Sequence, residues 1–204
     1  LRRQPGCHDV VVMTHLANAA TPHSPLNSQQ LLQFARSCQP LTEFAPETSI
    51  AASAAMLSLD NAVDWARPGI MLYGSSPFAW SDSERRRDQF DLHNVMTLKA
   101  QLISVRQHEA GDSIGYNSQF ICPRAMRVGI VSIGYADGYA RKFGNGVGEM
   151  LVNGHLAKVV GNVCMDMCML DVTGITVKEG DEVIIFGDSP SVDELAATIG
   201  TIPY

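Results

Sequence analysis

The sequence has no apolar run near the ~20 residues needed to cross a bilayer, and its first residues lack the apolar centre of a signal peptide. Charge is also sparse, because 18% of the residues are charged and the net charge is −6. The one basic cluster, Arg85-Arg86-Arg87, adjoins Glu84 and Asp88, which is typical of a solvated loop, whereas a nucleic-acid partner favours a broader basic face. These absences predict a cytoplasmic protein with no membrane or nucleic-acid partner.

Paired cysteines are missing too. The five cysteines form an odd set without the regular spacing of a disulfide framework, which favours reduced thiols. Cys164 and Cys168 are close in sequence, but no second Cys/His pair has a suitable spacing for zinc. We therefore predict no metal site.

Alternating strand and helix patterns are present in the first third of the chain. An apolar run at residues 10–13 is followed by a polar segment and a helical pattern over 27–38, which Asn27 or Ser28 could cap. Residues 49–57 are rich in alanine and predict a second helix. This order indicates an α/β domain with a parallel sheet.

The pattern changes to short strands from about residue 92. Asn153-Gly154 lies between two apolar runs and predicts a hairpin, and residues 179–181 mark another turn. The segment 191–200 is helical in pattern, with Ser191 and Glu194 spaced as a capping box. The second part is therefore predicted to be mostly β.

These patterns predict three regions. Residues 1–75 form the α/β part, residues 76–91 form a linker, and residues 92–204 form a β domain that is incomplete at its end. With 46% hydrophobic residues in 204, the chain has enough apolar side chains for two small domains.

Three short motifs could carry chemistry, although each alone is more typical of a structural role. His15 follows the first strand, where α/β barrels place active-site residues. The segment Arg67-Pro68-Gly69-Ile70, with Ser53 nearby, could bind an anion through backbone N–H groups. Tyr135 lies in a glycine-flanked turn directly after an apolar strand, so its ring could project from that turn.

Taken in order, the motifs resemble the alanine racemase family of pyridoxal 5'-phosphate enzymes over nearly the whole chain. The segments that carry the resemblance are Thr14-His15, Ser53-Ala54-Ala55, residues 67–74 (RPGIMLYG), residues 95–99 (VMTLK), residues 134–139 (GYADGY), Cys164-Met165-Asp166 and residues 200–204 (GTIPY). The resemblance implies an N-terminal (β/α)8 barrel that holds the cofactor, a C-terminal β domain, and a head-to-tail homodimer with shared active sites. On that pattern the chain corresponds to the later part of the barrel followed by most of the β domain.

The resemblance also implies roles for particular residues. Tyr135 would be the catalytic base for the L-enantiomer, reaching into the neighbouring subunit; a phenol with an ordinary pKa of ~10 needs cationic neighbours for that task. Two opposed acid/base groups suit racemisation, since a proton leaves one face of the substrate carbon and returns to the other. Arg67 would hydrogen-bond the pyridine nitrogen of the cofactor, and His15 would support Arg67.

Further contacts follow from the same resemblance. Met165 would offer its backbone N–H to the substrate carboxylate, and Asp166 would lie at the site entrance. Ligands of the cofactor phosphate would be Ser53, Gly69, Ile70 and Tyr204.

The chain departs from the family pattern in three ways. The lysine that binds the cofactor lies early in the family's barrel, and none of Lys99, Lys142, Lys158 or Lys178 has a matching context. Ala52 replaces a common asparagine, and the loop from Ser53 to Arg67 is one residue short. The sequence also lacks an initiator methionine, so we expect part of a longer protein, inactive by itself.

Three hypotheses remain open. The first is an alanine racemase that interconverts L- and D-alanine and supplies D-alanine for peptidoglycan. The second is a non-catalytic, dimerising β-domain fragment, since open sheet edges in residues 1–75 would pair with other chains. The third is a broad-specificity racemase acting on serine or lysine, with substrate size set partly near Asp166 and Tyr116.

Overall fold

The computed structural model describes residues 5–7, 9–59, 64–78 and 90–203. The basic cluster at 85–87, most of the predicted linker and the predicted phosphate ligand Tyr204 lie outside these ranges. The chain divides into two compact units, a first unit at Leu1–His93 and a second unit at Asn94–Tyr204. Among the described residues, no helix is long and apolar enough to span a bilayer.

The first unit contains a parallel three-stranded sheet in the order β1-β2-β3. Its strands are β1 (Val11–Met13), β2 (Glu47–Ala52) and β3 (Trp65–Arg67), and its helices are α1 (Pro25–Cys38) and α2 (Ser53–Ser58). Short 3-10 helices at Gln39–Phe44 and Ile70–Tyr73 follow α1 and β3. Since the strands are parallel, their carboxyl ends meet at one edge of the sheet, as the alternating pattern predicted.

Two local predictions in the first unit are wrong. Residues 49–52 belong to β2, because pairing with β1 and β3 on both sides overrides the helix preference of alanine. Helix α1 begins at Pro25, so Ser24 occupies the N-cap position in place of Asn27 or Ser28. The buried Asn27 amide instead donates to carbonyls of the preceding loop, those of Asn18, Thr21 and Pro22.

The second unit is a closed six-stranded antiparallel barrel in the order β10-β7-β4-β11-β8-β9, with β9 pairing back to β10. Its barrel strands are β4 (Leu98–His108), β7 (Met126–Val131), β8 (Glu149–Val152), β9 (His155–Val160), β10 (Cys168–Asp171) and β11 (Glu182–Phe186). A small hairpin of β5 (Ser113–Ile114) and β6 (Phe120–Ile121) leaves the barrel after β4. Val131, Met150 and Leu170 are fully buried inside the barrel.

The turns of the second unit match the sequence predictions. Asn153 and Gly154 have positive φ angles of 47° and 81° in the β8–β9 hairpin, which is the backbone that this pair of residues favours. Helix α3 (Val192–Ile199) has Ser191 as its N-cap, whose hydroxyl accepts from the Glu194 N–H at 3.2 Å. Gly200 ends the helix in the left-handed conformation.

Candidate active site

Arg67, the last residue of β3, is hydrogen-bonded to β2 and to the segment that follows β1. Its Nη2 donates to the Thr14 carbonyl at 2.9 Å, and its Nη1 donates to the Ser49 hydroxyl. The Ser49 hydroxyl in turn donates to the Trp65 carbonyl at 2.9 Å. The guanidinium is half-buried and fixed from two sides, so a positive charge is held in one orientation at the strand ends.

His15 directly follows Thr14, whose carbonyl accepts from Arg67. Within the described part of the chain, no hydrogen bond joins the His15 imidazole to Arg67. The His15 carbonyl accepts from Gln30 Nε2 at 2.8 Å, and the same amide nitrogen donates to the Thr14 hydroxyl at 3.0 Å. Gln30 of α1 therefore positions the segment after β1, a role that the sequence reading missed.

Ser53 holds the loop that follows Arg67. Its buried hydroxyl oxygen accepts from the Gly69 N–H at 2.9 Å and from the Met71 N–H at 3.3 Å. The Gly69 N–H is thus already used, whereas the Ile70 N–H has no acceptor among the residues that the structure describes. Ser53 and Ile70 can therefore offer one O–H and one N–H to an anion at the edge that also carries Arg67.

Tyr135 occupies a short 3-10 helix, Tyr135–Asp137, that is joined to the loop after β9. The Tyr135 N–H donates to the Cys164 carbonyl at 2.9 Å, and the Ala136 N–H donates to the Met165 carbonyl at 2.8 Å. A Cβ on Gly134 would lie 2.4 Å from the Met165 carbonyl oxygen, so only glycine permits this approach. The structure therefore brings Tyr135, Met165 and Asp166 together.

The Tyr135 ring is 41% exposed, and the Arg141 guanidinium lies 5.8 Å from its centroid, within range of a cation–π contact. The second tyrosine of the GYADGY motif behaves differently. Tyr139 is buried and stacks on Phe143 at 4.7 Å between centroids, and burial raises its pKa far above the ordinary value of a phenol. Tyr139 is therefore a core residue.

A second exposed phenol, Tyr116, lies in a cleft of the second unit. The cleft has a volume of about 440 Å³ and is lined by Arg106, His108, Tyr116, Cys164 and several apolar side chains. Asn117 and Ser118 have left-handed φ angles of 60° and 49°, and such backbone at non-glycine residues clusters at functional sites. The sequence reading placed Tyr116 only near the entrance; the glycine before it and the asparagine after it were the available signals.

Both units of the chain match known protein families. The family model described as "Alanine racemase, N-terminal domain" matches residues 1–77, and "Alanine racemase, C-terminal domain" matches residues 95–204. Alanine racemase of Aeromonas hydrophila is 40% identical over 210 residues, covering 100% of this chain and 57% of that protein.

Two solved structures are similar in fold. Biosynthetic alanine racemase from Pseudomonas aeruginosa has a TM-score of 0.84 at 39% identity, covering 100% of this chain and 55% of that one. Alanine racemase from Bartonella henselae, solved with covalently bound pyridoxal phosphate, has a TM-score of 0.80 at 30% identity, covering 95% and 52%. The chain thus spans little more than half the length of these relatives. The two family models match in chain order, which confirms the predicted fold class, part of a barrel followed by a β domain. The chain belongs to the alanine racemase family.

Proposed function

We propose that the chain belongs to a pyridoxal-phosphate-dependent alanine racemase that interconverts L- and D-alanine. The main support for the proposal is the position of Arg67, which is hydrogen-bonded to Thr14 and Ser49 beside the loop that Ser53 holds. The relatives of the chain are named alanine racemases. The curated relatives and solved structures extend beyond the span of this chain, so activity, substrate and assembly of the whole protein are inferred from them.

The donor set of the first unit fits pyridoxal phosphate. When bound, the cofactor delocalises the electron pair left at the substrate α carbon. Arg67 would face the pyridine nitrogen; because a guanidinium keeps its own proton, it leaves that nitrogen unprotonated and disfavours side reactions such as transamination. Ser53 and Ile70 would hold the phosphate directly, and Gly69 would do so by shaping the loop. His15 and Tyr204 remain proposed contributors beside them.

The proton carrier opposite the cofactor lysine is proposed to be a phenol of the second unit. The sequence reading names Tyr135 as this base, and the nearby Arg141 supports it by placing a positive charge against the ring. Tyr116, which is 72% exposed and shares a cleft with Arg106 and His108, is proposed to help set substrate size near the entrance. Met165, beside Tyr135, would direct its N–H toward the substrate carboxylate, with Asp166 at the entrance.

The lysine that would bind the cofactor and act as the second proton carrier is proposed to lie outside this sequence. All four lysines lie in the second unit, and Lys99 is engaged with Glu182 at 2.8 Å. We therefore expect the 204-residue chain to be inactive by itself. The active form is proposed to be a cytoplasmic homodimer with shared sites that supplies D-alanine for peptidoglycan; serine and lysine are the alternative substrates.

A non-catalytic dimerising module is the second candidate function. The closed barrel of the second unit is a self-contained fold, and in the described part of the first unit the open three-stranded sheet leaves edges that can pair with another chain. Racemisation of L-alanine by the intact product of the gene, with pyridoxal phosphate added, separates the two. D-alanine formation that is lost in Arg67→Ala supports the racemase. A purified dimer that forms no D-alanine and binds no cofactor supports the module.

The same assay tests Tyr135 as the base. Tyr135→Phe removes the only proton acceptor on its face, and the rate should fall by about 100-fold or more. Tyr116→Phe should alter mainly KM, since its ring would contact substrate without exchanging a proton. If Tyr135→Phe keeps full kcat, Tyr135 is not the base.

A further inference from the structure

Two amide side chains on one face of α1 hold the segment that follows β1. Asn27 and Gln30 are three positions apart in the helix, a spacing that places both side chains on the same face. The buried Asn27 amide donates to carbonyls at the far end of the segment, those of residues 18, 21 and 22. Gln30 contacts the near end, residues 14–17, which adjoins the candidate site. The two amides thus divide the segment between them.

Gln30 uses both polar atoms of its amide on this near end. Its Nε2 donates to the Thr14 hydroxyl at 3.0 Å and to the His15 carbonyl at 2.8 Å. Its Oε1 accepts from the Ala17 N–H at 3.1 Å. A half-buried side chain with three partners has little freedom to rotate, so Gln30 fixes the chain on both sides of the peptide group between Thr14 and His15.

The Thr14 carbonyl is the group through which Gln30 acts on Arg67. Arg67 Nη2 donates to this carbonyl at 2.9 Å, and Arg67 Nη1 donates to the Ser49 hydroxyl. When the segment after β1 shifts, the guanidinium loses the acceptor on one side of its fork and can rotate about the bond that it keeps with Ser49. The orientation of Arg67 therefore depends on a side chain of α1 with which it shares no hydrogen bond among the described residues.

We propose that Gln30 is a positioning residue for Arg67, acting through the Thr14 carbonyl, and that it thereby keeps the guanidinium directed at the ring nitrogen of pyridoxal phosphate. This inference rests on the proposed racemase function and deepens it. Gln30 touches neither cofactor nor substrate in this role. A hydrogen bond weakens steeply as its angle departs from linearity, so a small rotation of Arg67 is enough to weaken its contact with the ring nitrogen. The loop that Ser53 holds should be unaffected.

A cofactor analogue tests this assignment without using activity. In 1-deazapyridoxal phosphate a C–H group replaces the ring nitrogen, so the analogue keeps its phosphate but offers Arg67 no acceptor. The intact protein should bind pyridoxal phosphate about tenfold more tightly than the analogue, as one charge-assisted hydrogen bond predicts. In Gln30→Met, which keeps the length of the side chain but has no amide, this ratio should fall to about three or less. An equal loss of affinity for both compounds, or an unchanged ratio, overturns the proposal.

Gln29→Met is the matched control. Gln29 precedes Gln30 in α1, is exposed, and makes no side-chain hydrogen bond within the described ranges. The same side chain is therefore exchanged in the same helix, and the affinity ratio should stay at its wild-type value. If Gln29→Met lowers the ratio as much as Gln30→Met does, a general change in the helix is the cause and the assignment to Gln30 is wrong.

The guanidinium itself gives a second readout, one that needs no cofactor. The cofactor-free intact protein is labelled with 15N-arginine, and the Arg67 signals are assigned with Arg67→Lys. Exchange of the Arg67 Nη protons with water should become about tenfold faster in Gln30→Met and in Gln30→Glu, which keeps an acceptor for the Ala17 N–H but lacks the donor. Slow amide exchange in β2 reports that the sheet stays folded.

The two readouts separate the proposal from the function on which it rests. Unchanged Arg67 signals in both Gln30 variants overturn the proposal. A wild-type protein that binds no pyridoxal phosphate overturns the proposed function instead, and one that binds the analogue equally well overturns the role of Arg67 in it. In both of these cases the Arg67 signals still test whether Gln30 positions the guanidinium.

Discussion

The buried apolar side chains of the first unit are smaller than those of the second unit. Of the six residues described in the first unit's buried cluster, four are alanines, the others being Leu16 and Phe78. The main cluster of the second unit has a single alanine, Ala157, among seventeen members and is built mainly from larger aliphatic side chains. Burial of a larger apolar surface contributes more free energy, so the barrel should hold its shape by its own core to a greater extent than the first unit does.

The largest expected effect comes from emptying the barrel core. Leu170 is fully buried, and Leu170→Ala should lower the free energy of unfolding of the second unit by about 2–5 kcal/mol. Leu16→Ala is the counterpart in the first unit and should fall at or below the lower end of that range, since its neighbours are small. Amide hydrogen exchange in β7 and β10, compared with β2, measures each unit separately. An equal loss in both units would contradict the comparison.

A second substitution separates a steric clash from backbone strain. Gly134→Ala places a methyl group within 2.5 Å of three backbone atoms of residues 164–166, at an expected cost of about 1–3 kcal/mol. Gly174→Ala is the control, because its φ is 81° but its surroundings are open; left-handed strain alone costs about 1–2 kcal/mol.

Only Gly134→Ala should part the Tyr135 and Met165 loops. Exchange of the Ala136 amide, which donates to the Met165 carbonyl, should become faster in Gly134→Ala and stay slow in Gly174→Ala. D-alanine formation should fall with it. Slow exchange at Ala136 in both variants would mean that the two loops are not held by this approach.

Local sequence signals predicted the second unit better than the first for a physical reason. The Asn153-Gly154 hairpin and the Ser191 cap are determined by residues within a few positions of each other, so the sequence pattern contains the whole cause. Strand β2 is determined by partners on both sides that are distant in sequence. Its alanines therefore predict a helix, and only pairing with β1 and β3 explains why they form a strand.

The candidate site shows the same limit. Arg67, Ser53 and Tyr135 could be named from motifs, but the groups around them could not. Ser49 of β2 and the Thr14 carbonyl after β1 accept from Arg67, and Gln30 of α1 donates to the Thr14 hydroxyl. Long-range hydrogen bonds of this kind leave no fixed spacing in the sequence. Only the folded chain brings these groups together.

Ser53→Ala tests the candidate site of the first unit, whose buried cluster is rich in alanine. Removing the hydroxyl leaves the Gly69 and Met71 N–H groups without their acceptor, which should cost about 1 kcal/mol and speed exchange of both amides. The affinity for pyridoxal phosphate, measured by titration of the intact protein, should fall by about tenfold, as one lost hydrogen bond to a phosphate predicts.

Ser58→Ala is the matched control in the same helix. The Ser58 hydroxyl donates to the Ala54 carbonyl at 2.6 Å and is not part of the Arg67 loop. This variant should leave Gly69 exchange and cofactor affinity unchanged. If Ser53→Ala also leaves both unchanged, the loop is held by other contacts and Ser53 is not a phosphate ligand.

The smallest effect at neutral pH should come from Tyr139→Phe in the barrel core. The Tyr139 hydroxyl is buried without a partner among the described residues, so its removal should change the free energy of unfolding by no more than about 1 kcal/mol, in the stabilising direction.

The pH dependence sharpens the test. Burial raises the pKa of Tyr139 in the folded protein, so above the ordinary phenol pKa of about 10 the unfolded chain loses a proton that the folded protein keeps. Stability should therefore fall as pH rises past that value, and this part of the fall should be absent in Tyr139→Phe. Burial raises the pKa of Cys168 to about 12, so a shallower alkaline loss should persist in Tyr139→Phe and diminish further in the double variant with Cys168→Ala. Unfolding in urea at pH 8, 10 and 11 measures the slopes; identical slopes in wild type and Tyr139→Phe would show that the phenol reaches water in the folded barrel.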